Sequence, residues 1–126
     1  MTGRNTAVEE VQLSRQTLQQ APRIVVLSIV GEGDYHNGRR IETYFDEMLE
    51  ADKPRHVLLD LSGLTFAASV FFGSLLFWRE SMTARNGFLV LYGLRPEVAS
   101  TLRIVALDRV LKICPDQQAA LAALPK

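Results

Sequence analysis

Much of what builds common enzyme sites is scarce in this 126-residue chain. The single cysteine, Cys114, excludes an internal disulfide. It sits in "KICP" and reads as a small buried hydrophobe rather than a nucleophile. The two histidines, His36 and His56, stand far apart and form no ligand pattern, so no metal site is expected. Both read as surface residues. The segment "GEGD" (31–34) lacks the later glycine and the lysine of the glycine-rich phosphate loops. Ser69 stands in "AASVF" without the flanking glycines of a nucleophile elbow. Carboxylates are scattered: Asp34 and Asp108 in turns, and Asp60 at a strand end, where it should bond to nearby backbone. No catalysis and no cofactor are expected.

A surplus of one charge is missing too. Lys plus Arg and Asp plus Glu number 14 each, giving a formal net charge of zero. Chains that grip nucleic acid usually carry a basic excess, so that class of partner is set aside. The longest apolar runs are strand-sized or broken by Ser, Gly and Arg, which argues against membrane insertion. The polar N-terminal stretch has no apolar run of the signal-peptide kind. A cytoplasmic setting is the expectation that follows.

What is present has the composition of a single globular domain, 48% hydrophobic and 22% charged, with residues 1–7 expected to be flexible. "RIVVLSIVG" (23–31), "HVLLDLSGL" (56–64), "FLVLYGL" (88–94) and "VLKIC" (110–114) are apolar, β-branched runs that predict buried strands. Between them, Ile41, Tyr44, Phe45, Met48 and Leu49 recur at helical spacing over 36–51. A second helix is predicted over 69–85, ended by Asn86-Gly87 as a left-handed cap. Pro96 opens a third helix, and Pro115-Asp116 opens the last. Val11 and Leu13 alternate as in a strand, whereas Val8, Val11 and Leu18 also fit a weak helix. A first strand, antiparallel to 24–30 through the "QQAP" turn, is preferred. The whole is an α/β fold, with a mixed, mostly parallel central sheet and alternating helices.

In this order the segments resemble a STAS domain, the fold of bacterial anti-sigma-factor antagonists. "HVLLDLSGLTF" resembles the family's central strand, which leads into an Asp-Ser-Ser-Gly turn and a helix. "GEGDYHNGRRIETYFDEML" is similar to the early Gly-x-Leu-Asp turn and helix. "ARNGFLVLYGLRPEVASTLRIVALDRVLKI" resembles the segment that follows the central helix. The resemblance runs over about 100 residues and implies a protein-binding domain, with Asp34 in the partner-binding set. It also implies that Ser69 accepts phosphate from a partner kinase that doubles as the anti-sigma factor. Here the motif reads Ala68, Ser69, Val70, Phe71, so only the acceptor serine and Gly73 match the local pattern.

By its own chemistry Ser69 is expected to cap the helix that follows, since a serine oxygen accepts from first-turn amides. At about 100° per residue, Phe71, Phe72, Leu75, Trp78 and Met82 share the core face. Val70 and Phe77 fall on the other side, with Ser74 and Ser81 beside them, and form an expected docking surface together with Asp34 and Ser69. The first reading is therefore a non-enzymatic regulator that binds an anti-sigma-factor or scaffold protein, with homodimer formation left open. Two alternatives are the STAS subunit of a lipid-trafficking ABC transporter and a small-molecule-binding α/β domain.

Overall fold

The computed structural model describes residues 10–125; the segment 1–7, expected to be flexible, lies outside the described residues. The N-terminal ambiguity resolves as a strand. β1 (Gln12–Gln20) runs antiparallel to β2 (Arg23–Gly33) around a turn containing the cis Ala21–Pro22 bond. α1 (Tyr35–Asp52) follows, then β3 (His56–Asp60), β4 (Leu64–Ala67), α2 (Ser69–Ala84) and β5 (Leu89–Tyr92). α3 (Pro96–Ile104), a 3-10 turn (Leu107–Arg109), β6 (Lys112–Cys114) and α4 (Gln117–Ala122) complete the described chain.

The strand order is β1-β2-β3-β5-β6, with β4 pairing to the end of β2, and every pairing but β1–β2 is parallel. Strands buried on both faces need apolar side chains in both directions, which is why the runs in β2, β3 and β5 are continuous rather than alternating. Val25, Leu27, Ile29, Val57, Leu59 and Leu91 face α1, α2 and α3. Ile24, Val26, Leu58, Val90, Tyr92 and Cys114 pack with Ala120 of α4 and with Leu124 just beyond it. Cys114 is thus the buried hydrophobe expected of it. On the larger side, Trp78 of α2 stacks on Phe45 of α1 at 4.4 Å between ring centroids and meets the edge of Phe71 at 6.1 Å. That aromatic cluster fixes the two helices against each other.

The run 56–64 breaks where Ser62-Gly63 offers turn chemistry and restarts as β4, while two expectations, for His56 and Ser74, need correction. Asp60 drives that turn, its Oδ1 accepting from the Ser62 amide at 3.0 Å and the Ser62 hydroxyl at 2.7 Å. His56 is buried rather than exposed. Its Nδ1 accepts from the Phe88 amide at 3.1 Å, tying the start of β3 to the start of β5. Burial, with the Arg55 charge second, lowers the pKa of this imidazole. Finally, Ser74 is buried, although its place beside Val70 suggested the solvent side. Its hydroxyl donates to Glu42 Oε2 at 2.7 Å, a cross-link from α2 to α1.

One helix end follows sequence logic closely. At the end of α2, Asn86 is left-handed with φ 60°, and the Gly87 amide donates to the Met82 carbonyl at 2.8 Å. A side chain at Gly87 would run into the Arg55 carbonyl oxygen, so glycine is needed there for space.

Candidate protein-interaction site

Parallel pairing of β2 and β4 decides which residues meet. Gly33 lies opposite Ala67, and the Ala68 amide donates to the Gly33 carbonyl at 2.9 Å. Both strands end together, so the N-termini of α1 and α2 emerge side by side. The approach is close, since a Cβ on Gly33 would lie 2.9 Å from Cγ of Phe71. Asp34 and Ser69, far apart in sequence, are thereby placed at one end of the molecule.

Their chemical states differ. Asp34 is the N-cap of α1, and its Oδ1 accepts from the Asn37 amide at 3.0 Å and from Asn37 Nδ2 at 3.1 Å. Asn37, buried, also donates to the Glu32 carbonyl at 2.9 Å and accepts from the Val11 amide at 3.1 Å. One carboxylate and one amide therefore fasten α1, the residue before β1 and the end of β2 together. Ser69 is not the N-cap it was expected to be. That position belongs to Ala68, whose backbone is extended, and α2 starts with no side-chain cap bond. The reason is the pairing of β4, which holds Ala67 and Ala68 in the extended chain and puts Ser69 one residue too late to cap. Its side chain is exposed at the first helical position.

Around it lies apolar surface. Phe77 is 65% exposed and Phe66 50% exposed. Leu76 is 36% exposed and sits one heptad beyond Ser69, so it shares that residue's angular position on the helix. Val70 is only half-buried and faces α1, where a Cβ on Gly38 would lie 3.7 Å from its Cγ2. Phe77 sits about 10 Å further along α2 than Val70, at 1.5 Å per residue. Leu76 and Phe77 are thus exposed apolar members of the α2 surface that starts at Ser69, and Phe66 is exposed three residues before Ser69, on β4. Sequence reading missed Phe66 because it falls between the apolar run 56–64 and the predicted helix over 69–85. Leu76 was discoverable by the same angular count that paired Val70 with Phe77.

Among the described residues, no set of three or more His, Cys, Asp or Glu side chains could hold a metal ion. A cleft of about 630 Å³ between β1 and α1 is lined by Leu13, Asn37, Arg40 and Tyr44. Another of about 570 Å³ lies over Val30, Glu32, Gly63, Thr65 and Arg95. Neither includes Ser69, Val70 or Phe77. No helix among the described residues is long and apolar enough to cross a membrane.

Fold and surface together define an α/β domain with an exposed hydroxyl at the start of α2 and exposed apolar side chains along that helix. The chain belongs to the STAS domain family, whose model matches residues 15–120. Solved structures with the same fold include anti-sigma factor antagonists and a domain of a murine anion transporter. A putative antagonist from Thermotoga maritima is 22% identical, with TM-score 0.81 over 90% of this chain and 95% of its own. One from Mycobacterium paratuberculosis is also 22% identical, with TM-score 0.75 over 90% and 94%. The Bacillus cell fate determinant SpoIIAA, solved in its phosphorylated form, is 17% identical, with TM-score 0.64 over 86% and 96%.

Proposed function

We propose that this chain works as a single-domain, non-enzymatic antagonist in bacterial regulation, cytoplasmic, binding an anti-sigma-factor or scaffold protein through the strip at Phe66, Ser69, Leu76 and Phe77. The observation that carries the reading is the exposure of Leu76 and Phe77 along α2 and of Phe66 just before it, with the exposed Ser69 at the uncapped helix start. Exposed apolar side chains gathered in one patch are the usual mark of a docking surface. Asp34 and Val70 support the surface from behind, the first by capping α1 and the second by packing where α1 and α2 meet.

Ser69 is the switch in this reading. A partner kinase would hold ATP so that Ser69 Oγ attacks the γ-phosphorus, the hydroxyl proton passing to a base of the kinase and ADP leaving. The phosphate adds about −1.5 to −2 charges. First-turn amides with no side-chain cap favour that charge, so the fold tolerates it. The apolar strip does not, because docking would strip water from the phosphate. Phosphorylation therefore releases the partner. Anti-sigma factor antagonists of the same fold, one of them solved phosphorylated, support the choice of partner class.

The test is affinity capture followed by mass spectrometry, with wild type, Ser69→Asp and the double variant Phe66→Ser/Phe77→Ser as baits. A protein retained by wild type and lost by both variants is expected. Equal retention by all three baits defeats the reading.

A further inference from the structure

The interaction strip makes no use of β1, which stands apart from the rest of the sheet. It is the one antiparallel strand, nine residues long, and it lies at the sheet edge. Among the described residues nothing pairs with its outer row of N–H and C=O groups. An exposed edge of that kind is a template for another strand, and proteins normally blunt it with shortness, proline or lysine. The opposite edge is blunted: β6 has three residues and begins at Lys112.

β1 reads QLSRQTLQQ, with no proline and no lysine. Its single charge does not guard the edge. Arg15 lies opposite Leu27 and therefore points to the α1 side of the sheet. There Nε donates to Asp52 Oδ2 at 2.7 Å, and the guanidinium sits 5.3 Å from the centre of the Tyr44 ring. On the opposite side, Gln12 pairs with Val30, Ser14 with Ser28 and Gln16 with Val26, and all three β1 side chains are exposed.

We infer that β1 is a self-pairing edge, through which two copies of this chain join antiparallel about a twofold axis into one continuous sheet. A second copy fits better than a foreign strand because Gln12, Ser14 and Gln16 are complementary to themselves. Amides and hydroxyls both donate and accept, so the row can meet its own image with every group satisfied. With the axis at Ser14, Arg15 lies opposite Leu13 of the second copy, so no like charges face each other, and the zero net charge of the chain removes long-range repulsion. The register break between Thr17 and Gln19 ends the straight part of the edge, so pairing is centred within residues 12–17.

Sedimentation equilibrium of the full chain from low to high micromolar concentration tests this. The wild type should approach twice its 14.1 kDa monomer mass. The triple variant Gln12→Lys/Ser14→Lys/Gln16→Lys sets like charges opposite each other in any antiparallel register centred there. It should stay monomeric at the same concentrations, with the circular dichroism of a folded domain. Phe66→Ser/Phe77→Ser should dimerise as wild type does, since those residues lie on another surface. The inference fails if the wild type is monomeric throughout, or if the lysine variant associates as tightly. It fails too if the Phe variant alone loses the dimer.

Discussion

The Ser69 hydroxyl stands at the first turn of α2 without capping it, and that alters what its removal should do. A true N-cap serine is worth about 1 kcal/mol. Ser69→Ala should instead shift stability by no more than about 0.5 kcal/mol, as for an ordinary surface site. Ser69→Asp should be neutral or stabilising by up to about 1 kcal/mol, because a carboxylate at a helix start complements the dipole. Thermal melts of both variants check this, and a large loss in Ser69→Ala would show a bond that the geometry does not contain. Asn37 is the opposite case. It is buried, and its side chain bonds to Val11, Glu32 and Asp34. Asn37→Ala leaves a backbone amide and a carbonyl without partners at a cost of roughly 2–3 kcal/mol, measurable as a fall in denaturant midpoint. The sequence identified Asp34 as a turn residue. It gave no sign of Asn37, since one buried asparagine is visible only through the partners that a fold brings to it.

At the scale of elements, α2 was the most legible part of the chain, and its start was the least. Phe71, Phe72, Leu75, Trp78 and Met82 are all buried, as their spacing predicts. The helix boundaries also match to within a residue. What periodicity could not supply was β4, whose four residues pair with the end of β2 alone and leave Phe66 in water. A strand that short has no pattern of its own. The missed strand explains both the lost cap and the missed phenylalanine. Helical angle likewise placed Ser74 outside, whereas α1 covers it and Glu42 accepts its hydroxyl proton in a hydrogen bond. Val70 and Phe77 should accordingly separate in experiment. Phe77→Ser should change stability by no more than about 0.5 kcal/mol. Val70→Ser, packed against α1, should cost more, on the order of 1 kcal/mol for the methyls withdrawn from water. Equal large losses at both sites, read by chemical denaturation, would mean that Phe77 is covered in the native protein.

For the whole molecule, the mostly parallel sheet was readable because each doubly buried strand is a continuous apolar run between helical patterns. The burial of His56 was not, because "KPRH" looks solvent-bound until β5 lies beside β3. That contact makes a property of the entire domain testable. His56 accepts the Phe88 amide proton at Nδ1, so the folded ring is neutral, and burial lowers its pKa from the ordinary 6.5. In the unfolded chain the ring keeps that ordinary value. Above 6.5 both states are neutral and the contact contributes in full. As the pH falls below 6.5, the unfolded chain takes up a proton that the folded chain resists. Stability must therefore decline on acidification, with a slope of at most about 1.4 kcal/mol per pH unit for a single site. His56→Asn keeps an acceptor close to Nδ1 but cannot titrate, so its stability should be flatter over the same range. Denaturant midpoints at several pH values between about 5 and 7.5 decide the matter. If His56→Asn retains the full wild-type slope, the β3–β5 contact does not govern the acid side of this domain's stability.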